Sequence, residues 1–429
     1  MRISWRRSLY SALWYLLLPV ILVRLLIRSH SNKAYRQRWH ERLGWVKPAE
    51  SRKIICLHAV SVGEVMAARP LLEALLRDRP EYCLWITTTT PTGSDTVKRL
   101  FAAELSEHTI QHSYLPYDLP GAVARFLKRV QPDLLLIMET ELWPKLYAVC
   151  SRRSVPLLLL NARLSERSVQ RYQKINGLVA ETLSCVSSIM ARCEQDALRF
   201  QQLGAENTQI QVAGNIKFDI TTDSALAEQG AGMRQQLGQR SVWCAGSTHQ
   251  GEEEILLAVH SRLLKQFPDL LLILVPRHPE RFTAVAELCE ASGLSVIRRS
   301  QQKFVGAEYS VLLGDTMGEL LLWYAASDLA FVGGSLVPVG GHNPLEALAF
   351  GVPVLSGQYV HNFPDLYPQL TVTQSAKLLA SDDELYAAVK YWLLHDNERL
   401  ACGQAGHQFL RENRGVVERL MRVINTNLI

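Results

Sequence analysis

Apolar residues in this chain fall into short unbroken runs, separated by longer stretches in which they recur every third or fourth position. The runs KIICLHAV, YCLWITTTT, DLLLIMET and VPLLLLNA, all between Lys53 and Ala162, are bounded by Gly, Pro, Thr or Asn and read as strands. Helices are expected to follow them, beginning near Glu64, Gly93, Leu142 and Ser165. Strands apolar on both sides of the pleat belong to parallel sheets covered by helices on each face. A second series, SVWCAGS, LLLILVP, LSVIRR, YSVLLGD, LAFVGGS and VPVLSG, follows the polar stretch IKFDITTDSALAEQGAG. The pattern predicts two doubly wound, Rossmann-like α/β domains joined near residues 216–240 and facing each other across a cleft. Ligands are then expected at the carboxyl ends of both sets of strands.

Ahead of the first strand stands SLYSALWYLLLPVILV, between Arg7 and Arg24, a segment slightly short of the length that crosses a bilayer. A cleavable signal peptide starts in the same way, but the following VRLLIRSHS offers no small-residue cleavage site. The segment is therefore expected to be retained as a membrane anchor over residues 1–30. It either spans the bilayer or lies in the interface with Arg24 and Arg28 reaching outward.

Composition changes the picture in three places. A length of 429 residues calls for two domains, and 48% apolar with 20% charged residues excludes extensive disorder. The formal net charge of +5 is concentrated, since Arg2, Arg6, Arg7, Arg24, Arg28, Lys33, Arg36, Arg38 and Arg42 all lie near the N-terminus. Such a collar suits anionic lipid, and no nucleic-acid motif or aromatic-interleaved basic run accompanies it, so no nucleic-acid partner is expected. The eight cysteines, Cys56, Cys83, Cys150, Cys185, Cys193, Cys244, Cys289 and Cys402, show no zinc-site spacing and read as small core residues in a reducing cytosol.

Candidate chemistry sits where the strands end. In HAVSVGE (58–64), Gly63 is expected to allow a tight approach to the next helix, and Glu64 is a candidate general base. Ser61 and Glu64 also have the spacing of a capping box, so Glu64 could equally serve its own helix. In METELWP (138–144), Glu139 and Glu141 would share a face if the stretch were extended, and they would repel without a cation. Lys217 in NIKFD or Arg163 in NARLSERS could supply that cation, or the two acids could simply cap the next helix.

The second half offers GSTHQGEEE (246–254), PRHPERF (276–282), GDTMGEL (314–320) and GGSLVPVGGHNPLEAL (333–348), each expected to open a helix. Free backbone N–H groups and the helix dipole make such starts phosphate sites, with Arg277 close by. Thr316 to Glu319 and Asn343 to Glu346 also have capping spacing, with Pro344 suited to a first helical position. The chain contains no G-x-x-x-x-G-K-[ST] and no G-x-G-x-x-G after a strand, which disfavours ATP hydrolysis and ordinary dinucleotide binding. His58, His249, His278, His342 and His361 fit no metal-ligand spacing, and no metal is expected.

Taken together, HAVSVGE, TTTTPTGS, YLPYDLP, LIMETELWP, NARLSERS, KFD, STHQGEE, LVPRHPERF, GDTMGEL and FVGGSLVPVGGHNPLEAL resemble the 3-deoxy-D-manno-octulosonic acid (Kdo) transferases of lipopolysaccharide synthesis. The resemblance runs along essentially the whole chain. It implies a GT-B fold, an inverting reaction, CMP-Kdo as donor, the lipid A precursor (lipid IVA) as acceptor, and no cofactor beyond the donor. It further implies that Glu64 is the proton acceptor and that Glu139 and Lys217 stabilise the transition state. Pro276, Arg277, Met317, Gly318, Glu319, Asn343, Pro344, Leu345 and Glu346 match the family's CMP-binding segments. Residues 31–218 would form the acceptor-side domain and 219–429 the CMP-Kdo domain, its last helix able to pack back on the first domain. The expected location is the cytoplasmic face of a bacterial inner membrane, against its anionic lipids. Two other readings stand beside this one: a nucleotide-sugar epimerase on the same scaffold, and a non-catalytic membrane-bound protein that binds a nucleotide sugar.

Overall fold

The computed structural model describes residues 4–31, 33–49, 53–220, 224–301 and 305–428; Arg2 of the basic N-terminal set lies outside them. The chain divides into two compact units, Met1–Asp219 with Arg414–Ile429, and Ile220–Asn413.

Unit 1 is built on β1 (Lys53–His58), β2 (Tyr82–Thr88), β3 (Ile110–Tyr114), β4 (Leu134–Met138), β5 (Leu157–Ala162), β6 (Ser188–Ala191) and β7 (Ile210–Val212). These pair in the order β3-β2-β1-β4-β5-β6-β7, every pair parallel. Alternate residues of β1 and β4 feed opposite faces: Ile54, Cys56, Leu135 and Ile137 join one apolar cluster, Ile55, Leu57, Leu134 and Leu136 the other. Burial on both faces is why these strands are apolar throughout. The second cluster is completed by Val416, Leu420, Met421 and Ile424 from the helix Val416–Asn427. That helix is held at its start by Asp219, whose carboxylate accepts from Gly415 N at 2.7 Å and from Val417 N.

The N-terminal helix runs from Trp5 to Ser31 and is long and apolar enough to cross a membrane. One stripe of it contacts unit 1. Ser4 and Arg6 bond the Glu181 carboxylate, Arg7 donates to the Glu181 carbonyl, Trp14 packs on Tyr117 with ring centroids 5.9 Å apart, and Leu25 and Ser29 are buried. The rest of its surface, including Leu9, Leu13, Leu16, Val20, Val23 and Ile27, is exposed.

Unit 2 repeats the architecture with β8 (Val242–Thr248), β9 (Leu271–Pro276), β10 (Val296–Arg298), β11 (Val311–Leu313), β12 (Leu329–Val332), β13 (Val354–Gly357) and β14 (Ala376–Leu379). Their order is β10-β11-β9-β8-β12-β13-β14, again all parallel. Trp243, Leu272 and Phe331 are fully buried in its core. Within the junction, Ile216–Phe218 forms a short turn, residues 221–223 lie outside the described residues, and the helix Ser224–Gln236 follows. Of the eight cysteines, all unpaired, Cys193 is exposed, contrary to its reading as a core residue; it lies past the end of β6, at the N-cap of the helix Glu194–Gln202.

Strand order fixes where ligands are expected. In each sheet the connection reverses direction at one pair of neighbours, β1 with β4 in unit 1 and β8 with β12 in unit 2. Open α/β sheets bind ligands at the carboxyl ends of such pairs. The segments following β1, β4, β8 and β12 are HAVSVGE, METELWP, GSTHQGEEE and GGSLVPVGGHNPLEAL, four of the segments with candidate chemistry.

Candidate active site

In unit 1 the turn after β1 is braced from β2. The Val60 carbonyl accepts from Thr89 N at 3.3 Å, Thr89 Oγ1 at 3.3 Å and Thr90 Oγ1 at 3.2 Å. Gly93 lies against the same turn, where a Cβ would stand 2.9 Å from Thr90 Oγ1 and 3.3 Å from the Val60 carbonyl. The close approach is therefore made at Gly93. At Gly63 an added Cβ would meet only Ser61 Oγ at 3.9 Å, so the expected tight approach there is corrected.

Glu64 lies in the first turn of the helix Val62–Asp78. Its Oε2 accepts from Val60 N at 2.7 Å and its Oε1 from Ser61 Oγ at 3.3 Å. Ser61, at the N-cap, makes no side-chain cap bond, and Glu64 bonds the N–H of Val60 rather than that of Ser61, so the capping box is not formed. Burial pushes the Glu64 carboxyl up to about 7, with the charges of Glu139 and Glu141 adding to the rise against the bond from Val60. Glu141 is likewise pushed up to about 7, first by burial and then by Glu139. The three carboxylates therefore share one electrostatic neighbourhood.

They do not share it through strand alternation. β4 ends at Met138, and Glu139 turns into the left-handed region with φ 55, its N–H bonded to the Leu160 carbonyl at 2.8 Å. Thr140 Oγ1 then bonds the Arg163 carbonyl and accepts from Arg163 N at 3.2 Å. Arg163 thus contributes its backbone as a clamp on the segment. Lys217 lies on the short turn Ile216–Phe218, where Asn215 Oδ1 accepts from Lys217 N at 3.2 Å and Asn161 Oδ1 from Ile216 N at 3.1 Å. That turn packs beside the helix carrying Glu64.

Four buried polar atoms along this edge lack a hydrogen-bond partner among the described residues: His58 Nε2, Thr88 Oγ1, Trp143 Nε1 and Asn161 Nδ2. Burial lowers His58 to about 4, so its ring is neutral at physiological pH, and its centroid stands 6.5 Å from that of Trp143. Asn161, at φ 53, occupies an irregularity in the register of β5. Unpaired buried donors are costly in a folded chain and mark a site that a ligand could complete. Sequence reasoning missed Trp143 and Asn161 as site residues, although both stand inside quoted motifs.

In unit 2, β8 and β12 end in backbone contact. Gly333 N donates to the Gly246 carbonyl at 2.9 Å, and a Cβ on Gly333 would lie 2.4 Å from the Ser247 carbonyl. Glu252, fully buried, accepts from the N–H groups of His249 (2.9 Å), Gly334 (2.7 Å), Ser335 (3.0 Å) and Leu336 (2.9 Å). Its neighbour Glu253, also buried, is paired by Arg281 through two bonds of 2.6 and 3.1 Å.

Around this frame, His249 Nε2 meets His342 Nε2 at 2.8 Å with the rings stacked, and His278 stands edge-on to His249 at 5.2 Å between centroids. Burial, then Arg277, lowers His342 to about 4; burial, then His278 and Arg277, lowers His249. Both shifts bias His249 and His342 toward the neutral form beside the exposed guanidinium of Arg277. Glu346 is pushed up to about 7 by burial, against its contact with Asn343 at 3.5 Å and the charge of Arg277. Asn343 Oδ1 also accepts from Leu345 N at 3.2 Å. Pro276 ends β9, and Arg277 N bonds the Thr248 carbonyl at 3.0 Å. Pro276, Arg277 and Asn343 through Glu346 thus gather at one sheet edge.

Met317 is exposed, Gly318 has φ 88, and Glu319 is held below the usual carboxylate range by Arg299 at 2.7 Å. The helix they lead into, Leu320–Ala325, packs on Leu345–Leu348. These two helices have six and four residues. Neither aligns enough peptide units for a sizeable dipole, and the longer helix Glu252–Leu264 already carries three acids in its first turn. Length and acids thus weaken three of the four helix starts as phosphate sites, whereas PRHPERF leads into the ten-residue helix Phe282–Ala291, which has no acid in its first turn, with the exposed Arg277 just ahead.

Two units, each a wholly parallel α/β sheet with candidate residues at its switch point, give the architecture of the GT-B class. A family model described as 3-deoxy-D-manno-octulosonic-acid transferase (kdotransferase) matches residues 37–220. The chain is 42% identical over 426 residues to the 3-deoxy-D-manno-octulosonic acid transferase of Haemophilus influenzae, covering 98% of this chain and 99% of that one. It is 38% identical over 329 residues to the enzyme of the same name from Bordetella pertussis, covering 76% of each. The chain belongs to the Kdo transferase family. Among solved structures, a glycosyltransferase from Rickettsia africae matches with a TM-score of 0.54 at 12% identity, covering 88% of this chain and 99% of that one, a likeness of fold alone.

Proposed function

We propose that this chain transfers Kdo from CMP-Kdo to the lipid A precursor lipid IVA, with inversion and without a metal. The observation that carries the reading is Glu64, a carboxylate at the carboxyl end of β1 whose acid constant is raised to about 7. A base of that strength is matched to the proton of a sugar hydroxyl as it becomes acidic in the transition state. The acceptor hydroxyl oxygen bonds the anomeric carbon of Kdo while the bond from that carbon to the CMP phosphate oxygen breaks. The hydroxyl proton passes to Glu64, and CMP departs with the bonding pair. Attack opposite the leaving group inverts the centre.

Glu139 stabilises positive charge developing on the sugar ring, and Lys217 negative charge on the departing phosphate. Residues 31–218 serve the acceptor and 219–413 the donor, with Pro276, Arg277, Met317, Gly318, Glu319, Asn343, Pro344, Leu345 and Glu346 lining the CMP site. Arg277 meets the phosphodiester, and His249 and His342, both biased toward the neutral form, add little competing charge. The exposed apolar surface of the N-terminal helix holds the protein on the cytoplasmic face of the inner membrane, where the acceptor resides.

The test incubates the purified full chain with CMP-Kdo and lipid IVA and weighs the lipid by mass spectrometry. Lipid heavier by whole Kdo residues, with matching release of CMP, is the expected result. Release of CMP without heavier lipid, or conversion of the donor without acceptor, would overturn the reading.

A further inference from the structure

Between the N-terminal helix and the helix Pro144–Arg152 lies an open crevice of about 480 Å³, within the size range of small-molecule sites. Three cations line it: Arg7 from the first helix, and Lys145 and Arg152, two turns apart on one face of the second. Burial, then the charge of Arg152, lowers the Lys145 ammonium, with Asp118 opposing the shift and Arg7 adding to it. Arg7 Nε is buried without a hydrogen-bond partner among the described residues; Glu181 Oε2 stands 3.7 Å from it.

The nearby acids are already engaged. Asp118 spends its two oxygens on Lys145 N and Leu146 N, both at 2.8 Å. Glu181 takes Ser4 and Arg6. Arg7 is paired with Glu181, but among the described residues neither Lys145 nor Arg152 makes an ion pair, an arrangement that an entering phosphate would relieve. The mouth of the crevice carries the exposed residues Ser8, Ala12 and Tyr15. On its other flank the same helix borders a second crevice of about 520 Å³ with Trp5, Leu9, Leu13, Ile175 and Leu178 in its walls. A charged slot beside exposed apolar side chains on one helix complements a molecule with an anionic head and acyl chains.

We propose that the crevice formed by Arg7, Lys145 and Arg152 holds the phosphate of an anionic glycerophospholipid, fixing the N-terminal helix to the leaflet by charge as well as by apolar area. This inference rests on the membrane placement of that helix given above. It adds a lipid site separate from the residues assigned to transfer.

The test titrates the full chain, purified in detergent, with three probes: short-chain phosphatidylglycerol, short-chain phosphatidylcholine and inorganic phosphate. Phosphatidylglycerol is expected to bind at least about tenfold tighter than either of the others, and Lys145→Gln with Arg152→Gln to remove that preference. The charge-conserving pair Lys145→Arg with Arg152→Lys should keep it, and CMP binding by the Gln variant should be unchanged, which separates site loss from misfolding. An undiminished preference in the Gln variant, equal binding of phosphatidylcholine, or equally tight binding of inorganic phosphate would overturn the proposal. Flotation with zwitterionic vesicles tells the two readings apart. Wild type and Gln variant should both float; if wild type does not, the membrane placement itself fails.

Discussion

Three half-buried carboxylates at the strand ends of unit 1 stand in contrast to three buried acids of unit 2, although Glu346 of unit 2 is also pushed up to about 7. In unit 2, Glu252 is surrounded by four backbone N–H groups, Glu253 by a bidentate arginine, and Asp315 by Arg298 and Ser300. Those acids hold loops in place. In unit 1, Glu64, Glu139 and Glu141 crowd one another, and the two whose acid constants shift move upward. A compensated carboxylate is a structural strut, whereas one left among its like near neutrality is positioned to exchange protons. Under the function proposed above, Glu64 of unit 1 takes the proton and unit 2 holds the donor.

The sharpest way to break the contrast is Glu64→Gln. The amide keeps an oxygen to accept from Val60 N, so the fold should survive while kcat falls by about 10²–10⁴. A loss under about fivefold would mean that Glu64 only caps its helix. Next comes Arg281→Ala, which strands the Glu253 carboxylate in the core of unit 2. A cost of about 3–5 kcal/mol in denaturant unfolding is expected, with the pH profile of any remaining activity unchanged. A smaller effect is built into wild type: kcat/KM should fall about tenfold from pH 8 to pH 6 as Glu64 protonates. Stopped assays over that range check it, and a flat profile would remove Glu64 from the role of base.

The smallest effect concerns Glu141. Its folded acid constant is raised, so the folded chain holds more protons than the unfolded one between about 4.5 and 7, and stability is lost as pH climbs through that window. Glu141→Gln should therefore stabilise the protein by about 1 kcal/mol at pH 8 and by much less at pH 5. Thermal melts at the two pH values decide, and equal shifts at both would show that the gain is not electrostatic.

Much of this was legible from the apolar runs, because central strands buried on two faces leave an unmistakable pattern. The strands that escaped notice were β3, β6, β7 and β14. Three of them, β3, β7 and β14, are sheet edges with a single neighbour. Edge strands need less apolar surface, and β3 accordingly carries Gln111 and His112 while β7 spans three residues. Motif positions transferred well because each follows a strand. Side-chain geometry did not transfer: period-two alternation cannot foresee the left-handed turn at Glu139, and capping spacing cannot tell that Ser61 leaves its cap unmade. The histidine cluster was out of reach, since His249, His278 and His342 meet only after three separate strands have been laid side by side. Asn161 gave no signal either, because its exposure of an unpaired amide depends on an irregularity within β5.

The helix Val416–Asn427 has a consequence for how the protein is made. Its side chains Val416, Leu420 and Ile424 are fully buried in unit 1, yet the ribosome reaches them only after all of unit 2 has been translated. A nascent chain paused before that point carries an uncovered greasy strip on its first sheet, while its leading helix is already free to settle on the bilayer. Maturation of unit 1 thus waits for residues made after all of unit 2.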